Sequence, residues 1–386
     1  MPIVNRIAEF HTEIAEFRRD LHRHPELLYD VHRTAGRVAE KLKEFQVDEI
    51  VTGIGRTGVV GVIRGSGPGP AIGLRADMDA LPIEEATGLP YASQNDGLMH
   101  ACGHDGHTSM LLGAAKYLAE TRQFKGTAVL VFQPAEEGGA GGKAMLEDGL
   151  MERFGIEEIY GMHNLPGLPV GQFAIRPGPL LASTDEFRVT IRGRGGHAAW
   201  PNDTLDPIVA AAAIIGALQS IVARSIDPLE AAVVSVTQIR AGNTSNVIPD
   251  NAWLGGTARA LKADVRDLLE QKIKSIAAGV AASYGVSAEI DYQRKYPVTV
   301  NHPDETVFAA TIASEIVGSE RVDTDTPPIL GAEDFSYMLE ARPGAFILIG
   351  NGDSAGLHNP YFDFNDEAIP LGASYWVRLL ERRLAG

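Results

Sequence analysis

The segment Thr127–Phe132 (TAVLVF) is the strongest constraint on the fold of this chain. It is apolar and rich in β-branched residues, and a strand without polar alternation is typical of a sheet covered on both faces. Strand-like runs at Ala71–Leu74 and Glu158–Met162 alternate with helical patterns at Ser109–Glu120 and Gly142–Asp148. This alternation predicts an α/β domain with a mostly parallel central sheet.

The first seventy residues predict two helices followed by a hairpin. Apolar spacing near 3.6 residues predicts helices over residues 4–22 and 34–46. Val59–Ile63 and Ala71–Leu74 are predicted to be short strands joined by the Gly- and Pro-rich linker 65–70. We expect these two strands to pair with each other.

The sequence pattern changes near residue 183. Glu186–Arg192 alternates apolar and polar residues, as a half-exposed strand does. This strand and the patterns that follow it have the order β-α-β-β-α-β, which is typical of a ferredoxin-like α+β unit. After this unit, the alternation of strand and helix patterns that is typical of an α/β domain returns. We therefore predict a discontinuous first domain, 1–182 and 296–386, and an inserted second domain, 183–295.

Composition and the N-terminal sequence argue against nucleic-acid binding, secretion and a membrane span. The net charge is −16, from 34 basic and 50 acidic residues, which argues against nucleic acid because phosphate binding needs clustered cations. The single cysteine excludes an intramolecular disulfide, and the N-terminus has no apolar signal region, so we expect a cytoplasmic protein. Pro207–Ala223 is interrupted by polar residues and is expected to be a packed helix rather than a membrane span.

Side chains that bind metals fall in four loops marked by Gly or Pro. Ligands in α/β folds lie in loops at strand ends, and thiolate, imidazole and carboxylate together suit zinc and its neighbours. Two adjacent carboxylates allow one to bind metal while the other acts as a base. These observations predict a metallohydrolase site. The candidate residues are Cys102 and His104, Glu136 and Glu137, His163, and His358.

Most of the other histidines are expected to be structural, because a lone histidine is more often a core or surface residue than a ligand. His100 and His107 flank the Cys102 loop and are candidates for orienting its ligands. We assign a structural role to His11, His22, His24, His32 and His302.

Three residues of the predicted inserted domain are candidates for substrate binding. His197 lies on a Gly-rich loop, and Asn246 and Arg259 lie near strand ends. The planar guanidinium of Arg259 suits a carboxylate. The alternative is that His197 is incidental and that Arg259 pairs with an acidic neighbour on the surface.

Eight motifs occur together along nearly the whole chain. They are Leu21–Leu27 (LHRHPEL), Arg75–Pro82 (RADMDALP), Met99–His107 (MHACGHDGH), Glu136-Glu137, Gly195–His197 (GGH), Asn246–Asp250 (NVIPD), Gly331–Ser336 (GAEDFS) and Leu357–Asn359 (LHN). In this order they resemble the dinuclear metal-dependent amidohydrolases, a family of hippurate hydrolases, N-acyl-amino-acid aminoacylases, auxin–amino-acid hydrolases and related carboxypeptidases.

The resemblance implies a fold and a metal centre. The implied fold is a zinc-peptidase-like catalytic domain with an inserted ferredoxin-like lid domain, through which the chain would form a homodimer or homotetramer. The implied cofactors are two divalent ions, zinc or else manganese, cobalt or nickel. The ligands that match are Cys102, His104, Glu137, His163 and His358.

The resemblance also implies catalytic roles. Glu136 matches the general base, and Asp79 matches the aspartate that orients the metal site. His197 matches a lid histidine that polarises the scissile carbonyl, in some relatives from the neighbouring subunit, while Asn246 and Arg259 match residues that hold the substrate carboxylate. The chain departs from its close relatives at Asn202, where they usually carry His.

The activity implied is metal-dependent hydrolysis of N-acyl-L-amino acids, which are small-molecule substrates. Three alternatives stay open. They are a dipeptidase or carboxypeptidase, an N-acetyl-diaminopimelate deacetylase, and a non-catalytic protein that binds acylated amino acids. The intact set of ligands and Glu136 count against the last.

Overall fold

A computed structural model describes residues 4–385 of the chain. Its α-helices are α1 Asn5–Glu9, α2 His11–Arg23, α3 His32–Glu44, α4 His104–Thr121, α5 Gly141–Glu147, α6 Leu150–Arg153, α7 Pro207–Leu218, α8 Ser220–Ser225, α9 Ala263–Ser283, α10 Pro303–Val317, α11 Phe335–Ala341 and α12 Ile369–Arg383. Its strands are β1 Glu49–Ile54, β2 Gly58–Arg64, β3 Ala71–Asp77, β4 Thr127–Gln133, β5 Ile156–Pro166, β6 Phe173–Ala174, β7 Gly178–Leu181, β8 Ser183–Arg192, β9 Gly196–His197, β10 Ala232–Ala241, β11 Val247–Ile248, β12 Asn251–Ala260, β13 Ser287–Arg294, β14 Thr299–Asn301, β15 Val322–Asp323 and β16 Gly344–Gly352.

The described chain divides into two compact units. Unit 1 consists of the residues up to Leu180, Val300–Pro327 and the residues from Asp334 onward. Unit 2 consists of Leu181–Thr299 and Pro328–Glu333. The boundaries 183 and 295 stay a prediction for the limits of the inserted domain.

Unit 1 is built on an eight-stranded sheet with the order β1-β2-β4-β3-β5-β16-β6-β15. Its centre is parallel, because β3 pairs in parallel with β4 and β5, and β5 pairs in parallel with β16. β3 and β4 are buried almost throughout, as expected for strands covered on both faces. The predicted α/β class with a mostly parallel central sheet is confirmed.

The predicted hairpin between β2 and β3 is wrong. β4 lies between the two strands, antiparallel to β2 and parallel to β3. The linker that was expected to form the turn pairs instead with the segment before β4: Gly65 N–H donates to Gly126 O and Ser66 N–H to Phe124 O, at 2.9 and 2.7 Å. The antiparallel neighbour of β2 on its other side is β1, a strand that the sequence pattern did not reveal.

Helix α4 begins earlier than its apolar pattern predicts. The prediction was Ser109–Glu120, whereas the helix starts at His104, directly after Gly103 with φ +86°. The first turn carries polar residues that are nevertheless buried, including His104 and Asp105. Hydrophobic periodicity therefore could not mark this start, and His104 lies in the first turn of a helix rather than in a loop.

Unit 2 contains a four-stranded antiparallel sheet with the order β10-β12-β8-β13. Helices α7 and α9 pack on this sheet over a separate hydrophobic core. Inside it, Arg266 and Asp185 form a buried ion pair at 2.5 Å, and the hydroxyl of Tyr292 donates to the same aspartate at 2.8 Å. The arrangement agrees with the predicted α+β character of the insert.

The apolar stretch around α7 is more hydrophobic than the sequence analysis supposed. By length and composition, Pro207–Ser225 is able to cross a membrane, and only 28% of its apolar window is buried. The polar residues that interrupt this stretch, Gln219 and Ser220, do not bring the mean hydropathy of an 18-residue window below that of a membrane span. One such helix is weak evidence for a span, because core helices pass the same test. Its side with Ala210 and Ile214 packs into the unit 2 core.

Candidate metal centre

The predicted ligands of unit 1 lie at the carboxyl ends of the parallel strands. Asp79 follows β3, Glu136 and Glu137 follow β4, and His163 lies on β5. Ligand sites of α/β sheets form at this edge. Cys102 joins them from the loop that leads into α4, and His104 joins them from the first turn of that helix.

The ligand atoms of the five predicted positions lie close together. The Cys102 Sγ atom is 3.4 Å from His163 Nε2, and His358 Nε2 is 3.2 Å from Glu137 Oε1. His104 Nε2 lies 4.0 Å from that same glutamate oxygen. Three overlapping triplets, each with all its ligand atoms within 4.8 Å, are Cys102–His104–His163, Cys102–Glu137–His358 and His104–Glu136–Glu137.

Two of the histidines are held so that one ring nitrogen faces the cluster. The Nδ1 atom of His163 lies 2.7 Å from the carbonyl of Asn164, and a carbonyl only accepts. Nδ1 therefore carries the proton, and Nε2 is left with its lone pair beside Cys102. The Nδ1 atom of His104 lies 3.4 Å from Asp79 Oδ1. In metal sites, a carboxylate or carbonyl beside the ring nitrogen that does not face the metal fixes the orientation of the histidine ring.

Unsatisfied buried atoms and negative charge both fit a cation at this place. Within residues 4–385, neither ring nitrogen of His104 nor Oε1 of Glu137 makes a hydrogen bond of normal geometry, although all three atoms are buried. Burial lowers the pKa of His104, but the charge of Asp77 and the adjacent Asp79 carboxylate raise it to about 10. Burial, Glu137 and Glu136 raise the pKa of the Cys102 thiol well above its usual value. The sulfur, nitrogen and oxygen donors present suit a divalent ion such as zinc.

Asp79 organises the turn that carries both glutamates. Its Oδ1 atom accepts from Glu136 N–H at 2.9 Å and its Oδ2 atom from Glu137 N–H at 3.1 Å. The preceding Ala135 has φ +55°, a left-handed conformation that favours glycine. The turn holds Glu137 in two of the triplets and the buried Glu136 in one of them.

His107 is not available as a ligand, because both of its ring nitrogens are used. Nδ1 lies 2.6 Å from Asp77 Oδ1, and Nε2 accepts from Asn164 N–H at 2.9 Å. The Asn164 side chain donates to the carbonyl of Cys102 at 2.6 Å. The predicted role of His107 is to orient ligands; its contacts run through Asp77 and Asn164, two residues without a predicted role.

A second buried network was not anticipated from the sequence. Arg75 donates to Asp77 and Asp334 at 2.8 and 2.9 Å, and to the side-chain oxygen Oε1 of Gln133 at 2.8 Å. Asp334 also accepts from the backbone of Gly142 at 2.8 Å. Asp334 stood in one of the eight motifs, but its partners are distant in sequence and no local pattern identifies them.

Two of the three predicted binding residues of unit 2 lie together. β9 pairs with β11 so that Val247 faces His197, and the N–H of Ala198 donates to the carbonyl of Asn246 at 3.1 Å. His197 is exposed and its ring lies 4.5 Å from that of Trp200. Its Nδ1 accepts from Ala199 N–H at 3.1 Å, so the neutral ring carries its proton on Nε2.

Arg259 is not brought to the other two residues within this unit. It lies near the end of β12, opposite Thr184 of β8, and donates to the carbonyl of Leu330 at 2.9 Å. β12 begins at Asn251, just after the segment that contains Asn246. Eight residues of extended strand therefore separate the start of β12 from Arg259. At about 3.3 Å per residue this is roughly 25 Å.

Comparisons with known proteins show which family this chain belongs to. The chain is 42% identical to a hippurate hydrolase of Campylobacter jejuni over 98% of both chains, and 42% identical to an N-acetylcysteine deacetylase of Bacillus subtilis over 96% of both. A Bacillus subtilis crystal structure described as a dinuclear metal binding peptidase of the M20 family matches with a TM-score of 0.85 and 39% identity, covering 98% of this chain and 99% of the other. The model of peptidase family M20/M25/M40 matches residues 73–382, and the chain therefore belongs to that family.

Proposed function

We propose that this protein hydrolyses the amide bond of N-acyl-L-amino acids in a metal-dependent reaction that releases a carboxylic acid and a free amino acid. One observation carries the proposal: Glu136, a buried carboxylate beyond the five ligand positions, lies within 4.8 Å of ligand atoms of His104 and Glu137. A carboxylate beside a metal centre suits general-base attack of water on an amide. The similarity to a hippurate hydrolase and an N-acetylcysteine deacetylase supports this substrate class.

The proposed cofactors are two divalent ions. Zinc is favoured by the thiolate, and manganese, cobalt and nickel are the alternatives. When bound, the ions would lower the pKa of a water molecule and polarise the amide carbonyl. The description of the similar Bacillus subtilis structure as dinuclear supports their number. The residues that would hold them are Cys102, His104, Glu137, His163 and His358.

Glu136 would move the proton that the reaction requires. It would accept a proton from the attacking water and donate it to the departing amine, so that the carboxylate is ionised again after each turnover. Asp79 would keep it in place through the backbone hydrogen bond at 2.9 Å, and the N–H of Asp334 lies 3.4 Å from Glu136 Oε1.

The unit 2 residues would bind and polarise the substrate. Since His197 carries its proton on Nε2, this exposed donor suits the carbonyl oxygen as negative charge develops on it. Arg259 offers a charged fork and Asn246 an amide for the α-carboxylate of the amino acid. A free carboxylate in the substrate is therefore part of the proposal.

We also propose that the active protein is a homodimer. His197 and Arg259 are roughly 25 Å apart along the sheet, a distance longer than an N-acyl amino acid. Both can contact one substrate only if two copies of the chain contribute. The edge strand β10 and the exposed apolar residues Ile208, Val209 and Ile239 of unit 2 supply the surface for this pairing; a homotetramer would use it as well.

The proposed compartment is the cytoplasm. Cys102 is the only cysteine of the chain, and it must stay a thiolate to serve as a ligand. A reducing compartment maintains that state.

Arg259→Ala is expected to raise KM by about 10- to 100-fold for substrates with a free α-carboxylate, because a charge-assisted hydrogen bond contributes roughly 1.5–3 kcal/mol. Carboxyl-amidated substrates should be affected little. Initial rates on matched acid and amide pairs measure the difference. Arg192→Ala, an exposed arginine of the same sheet, serves as the control, and an equal loss on both substrates of a pair contradicts the role.

Mixing two inactive variants tests the dimer. Glu136→Gln and His197→Ala, each inactive alone, should regain about a quarter of wild-type activity when they are unfolded and refolded together, because half of the dimers are hybrids and each hybrid has one intact site. Light scattering gives the oligomeric state. A monomer, or the absence of recovery in confirmed hybrids, contradicts the shared site.

The function itself is tested by amine release from N-benzoyl, N-acetyl and long-chain N-acyl amino acids, with dipeptides and N-acetyl-diaminopimelate in parallel. Metal-stripped protein is compared with protein reloaded with zinc or manganese. Metal-dependent release from acylated amino acids supports the proposal and ranks the acyl groups. Release from dipeptides alone favours a peptidase, and release from N-acetyl-diaminopimelate alone favours that deacetylase. Binding of acylated amino acids without release, in metal-loaded protein, favours the binding protein.

A further inference from the structure

A buried cluster of three charged side chains joins helix α2 to the first turn of α4 and has no part in the mechanism proposed above. Helix α2 contributes Arg18 and His22, and helix α4 contributes Asp105, the residue after His104. His22 Nδ1 is 2.8 Å from Asp105 Oδ2, and Arg18 Nη1 is 3.4 Å from the same oxygen. All three side chains are fully buried. Buried charges are costly unless they are paired, so this cluster is a constraint on where α2 and α4 can lie.

The cluster extends to two more segments of unit 1. Glu85 Oε2 lies 3.4 Å from His22 Nε2, and Arg18 Nε donates to Asp366 Oδ1 at 2.7 Å, just before α12. Burial lowers the pKa of His22, but the charge and hydrogen bond of Asp105 raise it to about 9. His22 is therefore an imidazolium at neutral pH, paired with carboxylates on both sides.

Asp105 connects this cluster to the metal ligands through the start of α4. Its Oδ1 accepts from Gly106 N–H at 3.0 Å, so the carboxylate is fixed against the first turn that also carries His104. The same loop holds a third ligand position, because the N–H of His358 donates to the carbonyl of Ala101 at 2.8 Å. A shift of this turn would therefore move several ligands together.

The motif that contains His22 is tied to the same region. The carbonyl of Glu26 accepts from Ala80 N–H at 2.8 Å, next to Asp79. The carboxylate of Glu26 caps the start of α3 by accepting from Arg33 N–H and Thr34 N–H at 2.9 and 2.8 Å. The motif thus joins the N-terminal helices both to the segment that carries Asp79 and to the first turn of α4.

We infer that His22 is a positioning residue of the metal centre: its ion pair with Asp105 fixes the first turn of α4 and, through it, the ligand geometry of Cys102 and His104. The inference rests on the proposed metal centre. His22, which the sequence analysis assigned to the structural histidines, then acts on metal affinity as well as on packing.

The test measures metal binding by the purified full-length chain. His22→Phe keeps the ring shape and removes the hydrogen bond to Asp105, whereas His22→Asn keeps a donor near the position of Nδ1. Removing a partner that orients a ligand typically lowers metal affinity by about 10- to 100-fold. We expect this loss for cobalt or zinc in His22→Phe and recovery of most of the affinity in His22→Asn. The sulfur-to-cobalt charge-transfer band should change in position or intensity in His22→Phe only.

A matched control lies two residues further along the same motif. His24 is partly exposed, and its Nδ1 contacts the carbonyl of Asp20 at 2.8 Å. His24→Phe should bind metal like the wild type, and thermal unfolding of each metal-free variant records any loss of stability. Should His22→Phe not fold, the isosteric Asp105→Asn carries the same expectation of weaker binding.

The outcomes separate the two proposals. If a folded His22→Phe or Asp105→Asn protein binds cobalt with wild-type affinity and spectrum, the positioning role is wrong and the metal centre stands. If the wild-type protein binds no cobalt and gives no charge-transfer band, the metal centre itself is wrong.

Discussion

Glu136→Gln is expected to retain both metal ions and to lose about 10²- to 10⁴-fold in kcat, the usual contribution of a general acid–base group. The amide has nearly the same shape as the carboxylate but does not accept a proton at neutral pH. Metal content should not change, because the five ligand positions do not include Glu136. Elemental analysis and kcat on a cleaved N-acyl amino acid measure the two effects.

The control for this variant is Glu147→Gln. Glu147 lies on the following helix α5 and is exposed, with Lys143 as its ion-pair partner. It should leave both metal content and kcat unchanged. A Glu136→Gln enzyme with wild-type turnover would show that another group moves the proton.

Glu137→Ala is expected to abolish metal-dependent stabilisation. Glu137 belongs to two of the three ligand triplets, so its loss removes a donor from each. A metal present at a thousandfold excess over its Kd stabilises a folded protein by about 4 kcal/mol. Zinc should therefore raise the melting temperature of the wild type and leave that of the variant almost unchanged.

The metal-free form of Glu137→Ala should be no more stable than metal-free wild type. Burial raises the pKa of the half-buried Glu137 carboxyl, but the hydrogen bond of His358 and the charge of His104 outweigh burial and hold the pKa below its usual value, so the variant loses a favourable interaction. Calorimetry with and without zinc measures both quantities. A zinc-dependent shift equal to that of the wild type would exclude Glu137 as a ligand.

Local patterns of the sequence predicted most helices and strands of this fold. Period and propensity located β4 at Thr127–Phe132 and the end of β8 at Glu186–Arg192, because the first segment is apolar throughout and the second alternates apolar and polar residues. The same patterns failed where pairing is decided by distant segments. Nothing local to residues 59–74 indicates that β4 inserts between β2 and β3.

The residues of the candidate site also fall into those that local motifs predict and those that only the packed fold brings together. The family motifs pointed to the five ligand positions, Glu136 and Asp79, and the structure brings these side chains together in unit 1. The buried contacts around them were missed, because those of Arg75 with Asp334 and of His22 with Asp105 join residues 259 and 83 positions apart. Contacts of this kind depend on the packed fold rather than on a motif.

The insertion of β4 between β2 and β3 determines when the site can be assembled during synthesis. β3, which leads to Asp79, has both of its neighbours, β4 and β5, later in the chain. It therefore stays unpaired until residues 127–133 have left the ribosome, and His358 follows more than two hundred residues later. Pairings between distant segments form slowly because the loop must close first. A ribosome-bound chain that stops before His358 lacks one of the five proposed ligand positions, so the proposed metal centre is completed only after synthesis has passed His358.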